Sequence, residues 1–281
     1  MDCTKRRDKE HTGLEMTYFD FIVRFLLVPL LMLAGLTLGD LRRGKRLIWR
    51  LSNGSEWAAL AVLGAVALLY TTPWDNYLVA TRVWWYDPVL VAGITLGWVP
   101  VEEYLFFVLQ TLVTGLWLLY LARRWPVTAS FRSRPRHLRW ILALIVGFLW
   151  LGAVMTLIAG WRSGNYLGLQ LAWGLPPLIL QFAYGADILW RHRRLVLLAW
   201  LPPTLYLSIA DALAISSGTW TVNPARSLNI YLAGYLPVEE FTFFLLTNLL
   251  VVLGMILFLT YASHRHQTLS RSHVFARSNQ I

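Results

Sequence analysis

Long unbroken apolar runs dominate the pattern of this chain. They cover residues 18–38, 57–74, 100–122, 140–161, 166–187, 195–213 and 237–262, each near the ~20 residues a helix needs to cross the hydrocarbon of a bilayer. The alternating pattern of a transmembrane barrel is missing, which leaves helices as the spanning element. The pattern predicts an all-α polytopic membrane protein with about seven transmembrane helices.

Composition agrees. The chain is 57% hydrophobic and 14% charged, where soluble domains carry ~25% charged residues. The net charge of +10 would suit an acidic partner, but its placement argues against nucleic acid. Arg42, Arg43, Lys45, Arg46 and Arg50 follow the first run, Arg123 to Arg139 surround the basic loop after the third, and Arg191, Arg193 and Arg194 follow the fifth. Arg265, Arg271 and Arg277 lie in the tail, while the opposite loops hold Arg82, Arg162 and Arg226. This asymmetry is the positive-inside pattern: C-terminus in the cytoplasm, N-terminus outside, in the cell membrane, with membrane lipid as a partner. Residues 1–15 carry Lys5, Arg6, Arg7 and Lys9 against that pattern and read as an extension ahead of a natural start at Met16. The single cysteine, Cys3, lies there and allows no intrachain disulfide.

An internal repeat organises the rest. "GWVPVEEYLFF" (97–107) and "GYLPVEEFTFF" (234–244) share seven of eleven positions. Asp75 matches Asp211 and Trp84 matches Trp220 at a spacing of 136, the glutamates match at 137, and Pro29 and Asp40 match Pro176 and Asp187 at 147. Two three-helix repeats, 16–125 and 163–263, are thus joined by a basic loop and linking helix at 126–162, with a cytoplasmic tail at 264–281. One linking helix restores the direction that three helices reverse, so the repeats are parallel and their glutamates share one membrane depth.

Capping explains a single Pro-x-Glu-Glu adequately: proline suits a helix start, and glutamate suits the positive end that follows. The surroundings favour chemistry. Asp75 and Asp211 end the preceding helices on the same side, aromatic residues crowd the connections, and ionisable groups at membrane depth default to function. Desolvation disfavours the charged form of a carboxyl group, so it can serve as an acid, and aromatic faces stabilise cations. Acid, base and aromatic cage suit carbocation chemistry on an apolar substrate. Neighbouring helical residues diverge by ~100°, so one glutamate of each pair can face the bundle while the other points elsewhere. Glu102 and Glu239 are assigned the acid and base roles, with Glu103 and Glu240 as orienting partners or alternates. Asp75, Asp211, Trp84, Trp220, Phe106 and Phe243 are substrate-site candidates. Asp40 and Asp187, beside arginines, read as interfacial ion pairs.

Other chemistries find little support. The sequence has no Gly-rich nucleotide loop and no His-Glu-x-x-His. Nor does it have a paired Asp-rich motif for magnesium diphosphate, and no metal site is assigned. Its lysines, Lys5, Lys9 and Lys45, leave none in the last helix for a retinal linkage.

The doubled Pro-Val-Glu-Glu followed by Phe-Phe, in two fused three-helix repeats, resembles the heterodimeric-type carotenoid lycopene cyclases in their fused single-chain form, over nearly all of residues 16–262. The resemblance implies cyclisation of the linear end groups of lycopene in carotenoid biosynthesis, a non-redox isomerase-type reaction. It further implies essential motif glutamates, no flavin or other cofactor, and carotenoid-pathway enzymes as candidate partners. The alternatives are a carotenoid end-group hydratase and a small transporter with three-plus-one-plus-three helices. A reporter fused after residue 281 is expected to read cytoplasm and one near Arg226 the outside; both on one side would overturn the charge argument. A chain starting at Met16 is expected to insert and function normally.

Overall fold

The computed structural model describes residues 16–45, 47, 49, 54–124 and 137–278, the side chains of 266–278 excepted. The 1–15 extension with Cys3, Arg46, Arg50, residues 125–136 and the tail side chains Arg271 and Arg277 lie outside the described residues.

Seven long helices form among the described residues: α1 (Tyr18–Arg42), α2 (Ser55–Ala80), α3 (Val101–Arg124), α4 (His137–Ile158), α5 (Asn165–Arg191), α6 (Arg193–Ser217) and α7 (Val238–Ser278). All but α5 contain a stretch long and apolar enough to cross a membrane. α5 carries Gln170, Gln181, Asp187 and two internal prolines, which lower its apolarity without shortening it. The protein is an all-α polytopic membrane protein. α7 continues to Ser278, through much of the stretch read from sequence as a tail.

Short strands connect the helices at one end of the bundle: β1 (Trp84–Tyr86), β2 (Thr95–Leu96), β3 (Val99–Pro100), β4 (Trp220–Val222), β5 (Tyr231–Leu232) and β6 (Leu236–Pro237). β2–β3 and β5–β6 are hairpins, each leading directly into a glutamate helix. Their turns differ by one residue, which moves the repeat spacing from 136 to 137; Ala233 and Gly234 of the longer turn both take positive φ. β1 and β4, equivalent strands of the two halves, pair antiparallel with Trp84 opposite Val222 and Tyr86 opposite Trp220. That mutual register is what a two-fold axis between the strands produces.

The same relation extends to single hydrogen bonds. Tyr18 N–H donates to Leu90 O at 2.8 Å and Tyr166 N–H to Arg226 O at 2.9 Å; Val101 N–H donates to Ile94 O and Val238 N–H to Ile230 O, both at 2.9 Å. Tyr18 and Tyr166 are thus equivalent, although 148 residues separate them and 147 separate Pro29 from Pro176. The extra residue of the first half is absorbed in α1, where Val23–Leu27 form a π turn. Such a turn accommodates one inserted residue within a continuous helix.

α3 and α7 are the most buried helices and meet along the axis. Gln110 Nε2 donates to Thr247 Oγ1 at 2.8 Å and Thr114 Oγ1 to Asn248 Oδ1 at 2.6 Å, so these buried polar groups satisfy one another. On one side of this belt lies an aliphatic core that includes Leu118, Leu119, Val252, Met255 and Ile256. On the strand side the core is aromatic, with Tyr18, Phe21, Phe106, Trp220 and Phe244. α4, the helix without a counterpart, packs against α5, where Trp150 Nε1 donates to Ala172 O at 3.1 Å.

The ends away from the strands carry the ion pairs expected from sequence. Arg124 grips both oxygens of Asp40, Lys45 lies 3.3 Å from it, and Arg139 Nε lies 2.5 Å from Asp187. Asp40 is 2% exposed, so Asp40→Ala leaves Arg124 without its acceptor. A loss of about 1–3 kcal/mol is expected, read as a lower thermal midpoint in detergent.

Candidate active site

Each glutamate pair occupies the first turn of its helix, and the two members do different things. Glu102 Oε1 accepts the Ala92 N–H at 2.5 Å, and Glu239 Oε1 accepts the Leu228 N–H at 2.6 Å. These carboxyl groups hold the backbone of the connection preceding their own helix; both residues are fully buried, and the second oxygen of each, Oε2, has no partner. Glu103 and Glu240, ~100° further round, face inward.

There they meet across a cavity at the strand end of the bundle. Its polar lining is Asp75, Glu103, Asp211 and Glu240, with the phenols Tyr18 and Tyr166. Its apolar lining is Trp74, Trp84, Trp220 and the four phenylalanines Phe106, Phe107, Phe243 and Phe244. Every element of both repeats that reaches this level contributes, and α4 contributes nothing. All ten residues singled out from sequence lie in or beside this centre. Eight line the cavity, while Glu102 and Glu239 sit behind it on loop amides.

The carboxyl groups are bound by neutral donors. Tyr18 Oη donates to Glu103 Oε2, which also accepts Tyr86 Oη at 3.1 Å. Tyr166 Oη donates to Glu240 Oε1 at 2.7 Å. Trp220 Nε1 donates to Asp211 Oδ1 at 3.0 Å, and its equivalent Trp84 stands beside Asp75. Asp75 and Asp211 each keep one buried oxygen without a partner. Among the described residues no cation pairs with any of the four. Four full charges so close together among buried apolar groups would be costly, which makes these neutral donors essential to the cluster.

The rings form a cage. Phe106 and Phe243, equivalents across the axis, lie 6.5 Å apart at 25°, and Phe244 meets Phe243 edge-on at 5.3 Å. Trp220 closes another side, 5.0 Å from Tyr18 and 5.1 Å from Phe21. Ring faces turned toward the cavity stabilise positive charge there.

The reading from sequence missed Tyr18, Tyr166 and Tyr86. The first two are a matched pair hidden by the slip from 147 to 148, which only the π turn explains. Tyr86 has Val222 as its counterpart, so no repeat pointed to it.

Comparison with known proteins agrees with the geometry. The chain is 44% identical over 201 residues to the lycopene beta-cyclase of Halobacterium salinarum, covering 72% of this chain and 82% of that protein. This chain belongs to the lycopene cyclase family. It is also 37% identical over 209 residues to a bifunctional lycopene cyclase/phytoene synthase of Leptosphaeria maculans, and 33% identical over 222 residues to one of Aspergillus niger. The matches span 71% and 75% of this chain but only 36% and 37% of those proteins. No family model and no solved structure matches the chain.

The two anchoring glutamates generate a direct expectation. Glu102→Gln and Glu239→Gln keep the oxygen that accepts the loop N–H, and each is expected to cost about 1 kcal/mol of stability and to retain most activity. Conversion of lycopene by membranes normalised to protein content measures this; a loss of several orders of magnitude would place these carboxyl groups in the chemistry.

Proposed function

We propose that this membrane enzyme closes the linear end groups of lycopene into β-rings, with Glu103 and Glu240 as its acid and base. The observation that carries the reading is the single cavity in which one glutamate from each repeat faces the other inside an aromatic cage. The relatives named lycopene beta-cyclase support both the substrate and the ring type.

The chemistry is a balanced isomerisation. A carboxylic acid delivers its proton to the terminal double bond of the linear end group, leaving a tertiary cation. The internal double bond attacks that cation and closes a six-membered ring, moving the charge onto the ring. A carboxylate removes a ring proton and leaves the ring alkene. One proton is donated and one is recovered, and nothing is oxidised. The phenylalanines and indoles around the cavity stabilise the cation and exclude the water that would convert it to an alcohol.

The two glutamates share the acid and base roles, one each. Their settings differ in one respect: two phenols donate to Glu103, against one for Glu240. Asp75 and Asp211 line the same cavity as both glutamates and add two further carboxyl groups around the reacting end group. By the charge pattern of the loops, the cavity lies toward the outer face of the cell membrane. Carotenoid-pathway enzymes that supply lycopene are the expected neighbours in that membrane.

Expression in bacteria that accumulate lycopene, with chromatography of the pigments, tests the activity. Glu103→Gln and Glu240→Gln preserve shape but cannot exchange the proton, so each alone is expected to lower ring formation by about 10²–10⁴-fold at equal protein level. Near-normal cyclisation in both single variants and in the double would overturn the assignment. One-ringed product from either single variant would show separate sites for the two ends.

A further inference from the structure

A second cavity adjoins the acid chamber and shares Phe107 and Phe243 with it. We propose that this groove binds the conjugated polyene chain of the substrate while its end group reacts in the chamber, and that it reaches the lipid through the seam between α2 and α5. This rests on the cyclase reading above, because the occupant is the remainder of the same molecule.

The groove is built along helix faces. On α2 its wall is Leu63, Ala67, Tyr70 and Thr71, with Val66 at the rim, positions that fall on one stripe of the helix. From Leu63 to Asp75 is twelve residues, or ~18 Å along the axis, so the groove leads away from the carboxyl groups toward the opposite end of the bundle. The lining is overwhelmingly apolar, as a hydrocarbon requires.

One wall is a run of nearly parallel rings. Tyr70 stacks on Trp173 at 23°, Trp173 on Trp74 at 4.4 Å and 16°, and Trp74 on Phe243 at 4°. These rings lead from the rim of the groove into the chamber and match the flat π-face of a polyene. The same rings close the seam. Tyr70 Oη donates to Trp173 O at 2.9 Å and Trp173 Nε1 to Tyr70 O at 3.4 Å. The backbones of α2 and α5 do not pack closely there. Side chains alone therefore hold this side, and rotamer changes suffice to open it. Tyr70 and Val66 are 42% and 52% exposed, on a surface that faces lipid.

The symmetry-related position is filled. Thr71 of the groove corresponds to Leu207, which is fully buried in the aromatic core. With the groove on one flank of the chamber, the two ends of one polyene enter it in turn.

A thiol placed on the wall after folding tests this without burdening the fold. In a Cys3→Ser background, the Ala67→Cys variant in nanodiscs places one thiol on the groove wall, and its own conversion of lycopene before modification is the reference. Reaction of its thiol with a benzyl thiosulfonate is expected to lower conversion about tenfold or more, since single groups in an apolar site already discriminate by ~10-fold or more. Bound lycopene is expected to slow that reaction, equally in the Glu103→Gln background where no ring forms. Complete modification with full activity and no protection by lycopene would overturn the groove. Protection in a Glu103→Gln protein that still forms rings would uphold the groove and overturn the acid–base assignment instead.

Discussion

Asp75, Glu103, Asp211 and Glu240 surround one enclosed cavity with no cation among the described residues to balance them, and the architecture of this end of the bundle follows from that burden. A buried carboxyl group must be neutral or hydrogen-bonded. Here the donors are two phenols on Glu103, one on Glu240 and an indole on Asp211, all neutral groups. A lysine or arginine in their place would lock the carboxyl groups as anions and end their use as acids. Phenols orient them and leave the proton mobile.

The two-fold relation solves a geometric problem for the same cluster. A glutamate in the first turn of a helix can be aimed only if that helix start is held. Each repeat holds its own with the neighbouring glutamate: Glu102 and Glu239 tie their helices to the amides of Ala92 and Leu228. The antiparallel pairing of β1 with β4 then fixes one half against the other. The doubled Glu-Glu is one motif with two duties, one residue for the loop and one for the cavity.

Departures from symmetry carry as much meaning as the symmetry. Tyr86, whose repeat equivalent is Val222, adds a donor to one glutamate only. Thr71 against Leu207 leaves a groove on one flank and a packed core on the other. A duplicated scaffold thus gives its two inward glutamates different sets of donors and leaves a groove on one flank. The aliphatic core and the Asp40 and Asp187 ion pairs at the far end have no part in this and serve as the rigid base.

Sequence alone determined the membrane class, the helix positions and the repeat, because continuous hydrophobicity and a sustained spacing of matched residues are one-dimensional properties. It also determined that Glu102, Glu103, Glu239 and Glu240 belong to one centre with Asp75 and Asp211, since the repeat put them at one depth. Which glutamate of each pair faces inward was decided only by tertiary structure. Both stand in the first helical turn, and the phase of that turn depends on a loop amide ten or eleven residues earlier in the chain. Tyr18 and Tyr166 stayed hidden for a related reason: a π turn changes the residue count between equivalent points without changing where they lie in space.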